Sequence, residues 1–184
     1  MRPELEGKMS VKPIQVEDWL LRCCSLWGKD WLLLTAGDFA SGKFNAMTVG
    51  WGSFGRMWNK PFAQVVVRPT RYTFEFMEKY DTFTLCAFPM QYHEALNLLG
   101  TRSGRDGDKI AAAGLTPVAA SSVAAPAFAE AELVVECRKQ YWDDMDPARF
   151  IADDIARHYS LKDYHRIYFG EILAVLGTEK YQAA

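Results

Sequence analysis

The 184-residue chain has no long apolar run: stretches such as Trp31 to Leu34 and Leu173 to Leu176 fall far short of the roughly 20 residues that span a bilayer. Nor does one sign of charge prevail. Lys plus Arg number 21 against 23 Asp plus Glu, a formal net charge of −2, which leaves no global basic field for nucleic acid and no acidic excess that would argue for disorder. Cysteine is scarce, with a vicinal pair, Cys23-Cys24, and two singles, Cys86 and Cys137. Without a C-x-x-C, or a His spaced to complete a zinc site, these read as reduced and mostly buried thiols. With three histidines, no Ser/His/Asp or Cys/His spacing is recognisable, and no carboxylate pair stands out as an acid and base couple. No internal repeat occurs. The opening Met1-Arg2-Pro3-Glu4-Leu5-Glu6 has acids and a proline where a secretion signal needs apolar residues, so a cytoplasmic location is expected.

What the chain does have is 49% hydrophobic and 14% aromatic residues, enough to bury on the order of 70% of its unfolded surface in one domain over residues 1–184. Runs rich in Val, Leu, Thr and aromatics, bounded by turn residues, predict strands at Trp31–Ala36, Phe44–Gly50, Ala63–Val67, Thr82–Ala87, Ala131–Arg138 and Ile167–Leu176. Apolar residues three or four apart predict helices at Val16–Leu26, Tyr72–Tyr80, Tyr92–Leu99, Asp106–Ala113 and Ala148–His158. Thr70 is a candidate cap for the second helix, and Gly100 and Gly114 are candidate stops for the third and fourth. The stretch Ala111–Ala131, rich in Ala, Ser and Pro, reads as a connecting loop. The first two strands are too close for a parallel crossover, so only a hairpin joins them. The expected fold is mainly β with helices, an antiparallel Greek-key barrel with peripheral helices.

Gly50-Trp51-Gly52-Ser53-Phe54-Gly55 matches G-x-G-x-x-G after a strand, but Pro61 breaks any helix that would follow. A tight connection where two strands approach closely is the better reading. Charge is uneven locally: from Phe39 to Phe74 there is no acid, while Lys43, Arg56, Lys60, Arg68 and Arg71 fall inside the window. Arg68-Pro69-Thr70-Arg71-Tyr72-Thr73 places two guanidinium forks and two hydroxyls at a strand-to-helix junction, the outline of a phosphate site. The alternative pairs both arginines with Glu75 or Glu78 on the surface. In Ser103-Gly104-Arg105-Asp106-Gly107-Asp108-Lys109, an Asp caps the next helix and Lys109 is expected to be exposed with room for a ligand. His93 and His158 read as surface residues. His165, at the start of the last strand, is placed to hydrogen-bond a ligand or donate a proton.

Asn45-Ala46-Met47-Thr48-Val49-Gly50-Trp51-Gly52, Lys60-Pro61 and Val67-Arg68-Pro69-Thr70-Arg71-Tyr72-Thr73 together resemble the flavin reductase-like family of FMN-binding split barrels, on the flavoredoxin side. Ser103-Gly104 with Asp108-Lys109, Leu115-Thr116-Pro117, and Asp163-Tyr164-His165 with Gly170-Glu171-Ile172 agree in the same order. The resemblance implies a dimeric split barrel holding FMN near the subunit interface, an oxidoreductase passing hydride or electrons to a flavin, metal or protein acceptor. A flavoredoxin-like electron carrier with no small-molecule substrate is the alternative, and a barrel binding another phosphorylated ligand is a third. By resemblance Asn45, Met47, Thr48 and Trp51, with Ala46 among them, line the isoalloxazine, and Arg68, Arg71, Thr73, Ser103 and Lys109 serve the ribityl phosphate. His165 matches the family's histidine, although the family often has Gly-Asp-His where this chain has Asp163-Tyr164-His165. No glycine-rich nicotinamide fingerprint is expected in the family, so NADH or NADPH as reductant has no direct sequence support. No nucleic acid or membrane partner is expected. Trp51, Trp58 and Tyr72, all in the acid-free window, are expected to gather around the flavin and the dimer seam, and Trp19, Trp31, Phe74 and Phe76 to be ordinary core.

Overall fold

The computed structural model describes residues 10–183. Its strands are β1 (Lys12–Pro13), β2 (Leu32–Asp38), β3 (Lys43–Val49), β4 (Gly52–Met57), β5 (Lys60–Val67), β6 (Thr82–Ala87), β7 (Pro117–Val118), β8 (Ala127–Phe128), β9 (Leu133–Asp144) and β10 (Arg166–Gly177). The α-helical segments are α1 (Cys23–Ser25), α2 (Tyr72–Lys79), α3 (His93–Thr101) and α4 (Lys109–Ala112). Eight strands form one antiparallel sheet in the order β3-β2-β6-β9-β10-β5-β4, with β1 added beside β10, while β7 and β8 pair separately. β3 and β4 follow each other in the chain yet stand at the two ends of this order. The sheet curls into a barrel that is split between them.

Composition explains why the sheet closes around two cores. β2 reads Leu32-Leu33-Leu34-Thr35-Ala36, buried on both faces, which is why it shows no alternation in sequence. Leu32, Leu34 and Ala36 point into the barrel with Val49, Val65, Leu85, Val135 and Tyr168. Leu33 points outward into a second cluster with Ala46, Cys86, Leu96, Leu99 and Ile110, which α3 and α4 cover. At roughly 1.5 to 3 kcal/mol for each fully buried large aliphatic, the second cluster is what fastens those helices to the barrel.

The predicted strands all form, and β9 runs on six residues beyond Arg138 to Asp144. β4 is a strand that the sequence reading took for a connection. It is joined to β5 by Trp58 and Asn59, whose φ values of 52° and 59° make the two-residue turn that matches strand twist. The close approach of two strands expected there is present at Gly52, where a Cβ would lie 2.4 Å from the Gln64 carbonyl oxygen of β5.

The helices needed more correction. Val16–Leu26 is not one helix but a 3-10 turn at Val16–Asp18, an extended stretch, and α1 leading into a π-turn at Leu26–Asp30. Backbone pairing with the C-terminal segment prevails over helical propensity there: Leu20 N–H donates to Tyr181 C=O and Ala183 N–H to Asp18 C=O. Ala148–His158 likewise holds only two 3-10 turns, Pro147–Arg149 and Ile155–His158. Asp106–Ala113 shortens to α4, capped by Asp108 and ended by Gly114 at φ 69°. Gly100 lies inside α3 rather than after it, and Arg71, not Thr70, occupies the cap position of α2. The Ala111–Ala131 stretch contains β7 and β8.

Candidate functional site

The split produces the site. β3 bonds only to β2, so among the described residues its other edge keeps unpaired N–H and C=O groups. That edge faces a cleft of about 430 Å³ lined by Met47 to Trp51 on one side and by Val66, Arg68, Thr70, Arg71, Asp163 and His165 on the other. Trp51, 46% exposed, stands at the rim with its ring 5.1 Å from His165 and 5.5 Å from His158.

Arg68 comes off the end of β5 and reaches across to the segment between β9 and β10. Its guanidinium donates to the Asp163 carboxylate at 2.7 Å and to the His158 carbonyl at 2.8 Å, and lies 5.0 Å from the Tyr159 ring centre. The arginine holds the Asp163 carboxyl below the usual carboxylate range. Neither Arg68 nor Arg71 pairs with Glu75 or Glu78, as the surface alternative required. Glu75 takes Arg105 at 2.5 Å, and Glu78 takes Arg166 and the Tyr168 hydroxyl.

His165 is buried, and its Nδ1 shares a 2.8 Å hydrogen bond with the Tyr159 hydroxyl. Burial, reinforced by the Arg68 charge, pushes its pKa down to about 4. The neutral form of the ring is therefore the favoured one.

Sharing Met47, Thr70 and Arg71 with the cleft is a compact cavity of about 80 Å³ that gathers Arg71, Thr73, Ser103 and Lys109, with no acid in its lining. Lys109 is the clearest correction: it is 6% exposed, not displayed to solvent, and its ammonium donates to the carbonyls of Leu99 (2.8 Å) and Arg102 (3.0 Å). Burial first, and the Arg71 charge second, lower its pKa to about 8. Arg71 donates to the Gly100 carbonyl, and burial followed by the Arg68 charge lowers its pKa too. Thr73 accepts from Asn45 Nδ2 at 2.7 Å, and Ser103 Oγ accepts from the Arg105 N–H at 3.2 Å.

The expected ring-lining residues divide. Met47, Thr48 and Trp51 border the cleft, although the Thr48 hydroxyl is already donated to the Leu96 carbonyl. Ala46 sends its side chain into the second core, and Asn45 is held behind the small cavity against Thr73. Trp58 and Tyr72 do not join Trp51. Trp58 packs near Tyr141 and Phe169 on the β4–β5 turn, and Tyr72 near Phe76 under Arg105. His158 is exposed as expected, whereas His93 is half-buried and stacks on Trp31. Cys86 and Cys137 are buried, but Cys24 is exposed. The sequence reading missed Tyr159 as a partner of the site. Only its nearness to His165 along the chain hinted at it. Among the described residues no cluster of three metal-ligating side chains exists, and no helix is long and apolar enough to cross a membrane.

Comparison with known proteins identifies the family of the chain. Residues 30–183 match the flavin reductase like domain, and the chain belongs to that family. Among solved structures it is similar to an FMN-binding domain of a flavin reductases-like enzyme from Shewanella baltica (TM-score 0.66, 14% identity, covering 92% of this chain and 78% of that one). It is also similar to the flavoredoxin of Desulfovibrio vulgaris (TM-score 0.63, 20% identity, 98% and 78%). A third is an NADH:FAD oxidoreductase of Streptomyces globisporus (TM-score 0.63, 14% identity, 83% and 78%). At these identities the likeness is one of fold. No curated protein matches the chain.

Proposed function

We propose that the cleft holds FMN and that the protein is an oxidoreductase of the flavin reductase type. The observation that carries this reading is the donor set around the small cavity. An ammonium has three donors, and Lys109 uses two on carbonyls. A guanidinium has five, and among the described residues Arg71 uses one, on the Gly100 carbonyl. Thr73 and Ser103 both accept from neighbours, which leaves each hydroxyl hydrogen to be given away. Four groups thus converge with donors to spare and no carboxylate among them, and the Arg71 charge stands close enough to lower the affinity of Lys109 for a proton. A phosphate monoester, with nearly two negative charges, is the ligand that relieves this.

From there the cleft runs along the open edge of β3, whose backbone groups suit the polar edge of a flat ring, with Trp51 at the rim to pack on it. Arg68 belongs here to the wall rather than to the phosphate: through Asp163, His158 and Tyr159 it clasps the segment before β10 and so fixes His165. Neutral His165 keeps Nε2 without a protein partner among the described residues, available for one hydrogen bond to a ligand. Bound FMN would supply the two-electron chemistry, and the side chains supply binding, orientation and exclusion of water.

The same cleft serves a carrier reduced and oxidised by proteins. Stopped-flow mixing of the FMN-loaded protein with NADH and with NADPH separates the readings: bleaching of the flavin absorbance is expected, and none with either nucleotide would leave the carrier. Failure to take up FMN at all would overturn both. A homodimer is part of the proposal, supported by the exposed aromatic surface of Trp58, Tyr141 and Trp142. Sedimentation analysis reads it directly.

A further inference from the structure

Beside the small cavity, and sharing Tyr72 and Lys109 of its lining, is another of about 650 Å³, larger than the cleft. One wall is aromatic. Tyr72 and Phe76 stand one turn apart on α2 with ring centres 5.2 Å apart, and Tyr80, just past the helix end, lies nearly parallel to Phe76 at 6.1 Å and 13°. Ile110 and Leu115 add an aliphatic part to the lining. Asn45, on its lining, bonds Thr73 on the lining of the small cavity, and Gly104 packs so tightly that a Cβ there would come within 2.2 Å of Asn45 Oδ1.

The charges at this cavity are unbalanced. Its acids are both engaged, Glu75 with Arg105 and Asp108 with the N–H groups of Ile110 and Ala111. Its exposed lysines, Lys43 and Lys79, have no carboxylate partner among the described residues. Lys79 hangs 5.6 Å from the Tyr80 ring centre, over the aromatic wall. A volume in the range of small-molecule sites, one aromatic wall, an aliphatic part of the lining and two uncommitted cations define a ligand that is flat and anionic.

We propose that this cavity is a second binding site, for a planar aromatic ring carrying a phosphate or carboxylate, that is occupied independently of the cleft. AMP and benzoate are suitable probes, since they share this chemistry and differ in its source. Binding of each is measured by saturation-transfer NMR and calorimetry on protein saturated with FMN, or on the protein as purified if it takes up none, so the outcome does not depend on the flavin reading. Expected is saturable binding that FMN does not displace. The pair Lys43→Glu and Lys79→Glu, on exposed side chains, should weaken it by about tenfold or more. Tyr80→Ala should weaken it as well, while FMN absorbance is retained in every variant. AMP alone would assign a nucleotide, benzoate alone an aromatic acid, and both the shared chemistry. No binding of either at millimolar concentration, displacement by FMN, or full affinity in the lysine variant would overturn the proposal.

Discussion

His165 makes acid stability a direct reading of the cleft. Its ordinary pKa is about 6.5, and in the folded protein burial beside Arg68 brings it to about 4. The fold therefore favours the neutral ring, and that contribution is fully present above about pH 6.5. As pH falls from there to about 4, the unfolded chain takes up a proton that the folded one refuses, and stability drops with it. A gap of about 2.5 pH units at roughly 1.4 kcal/mol each is on the order of 3 kcal/mol, a large part of a typical domain's margin. The perturbation is His165→Gln, which keeps a polar side chain that cannot titrate. Urea unfolding of both proteins from neutral pH down to about 4 supplies the comparison, and taking the difference cancels most of the carboxylate contribution, including that of Asp163. Wild type should lose on the order of 3 kcal/mol more than the variant over this range. Parallel curves, or an NMR titration placing the His165 ring near its ordinary value, would refute the reasoning.

Arg71→Ala should weaken FMN retention by about 1.5 to 3 kcal/mol, the scale of hydrogen bonds to charged groups, and equilibrium dialysis giving wild-type retention would remove it from the phosphate cavity. Gly104→Ala forces a methyl against Asn45 Oδ1, so urea unfolding should show a loss of about 1 to 3 kcal/mol, with unchanged stability meaning that the Asn45–Thr73 contact yields easily. A thiol reagent should label exposed Cys24 readily and spare Cys86, whose thiol burial pushes up to about 12, and Cys137 until the protein unfolds. Labelling of all of them at one rate would contradict the two-core packing.

The strands were legible because each carries its own signal: β-branched and aromatic runs closed by Gly, Pro or Asp. β4 escaped because Gly-Ser-Phe-Gly-Arg-Met has little intrinsic preference for a strand and becomes one through pairing with β5. The helix expected at Val16–Leu26 failed for the same kind of reason, since a distant backbone segment offered partners that local periodicity does not reveal. At the candidate site, charge and motif order point to Arg71, Thr73, Ser103 and Lys109, and the four line one cavity. Their surroundings were not legible. Whether Lys109 faces water or two carbonyls is decided by how α3 and α4 meet, and Arg68 finds an acid 95 residues away that no spacing rule connects to it.

The open edge of β3 has a consequence for handling the protein. A row of unpaired backbone groups beside an apolar strand is also a template for another chain's strand. Whatever occupies the cleft masks that template, so emptying it should trade a binding surface for an adhesive one. Preparations stripped of ligand are then expected to lose solubility before they lose secondary structure, and adding the ligand back should protect them from clumping without making the fold itself any more regular.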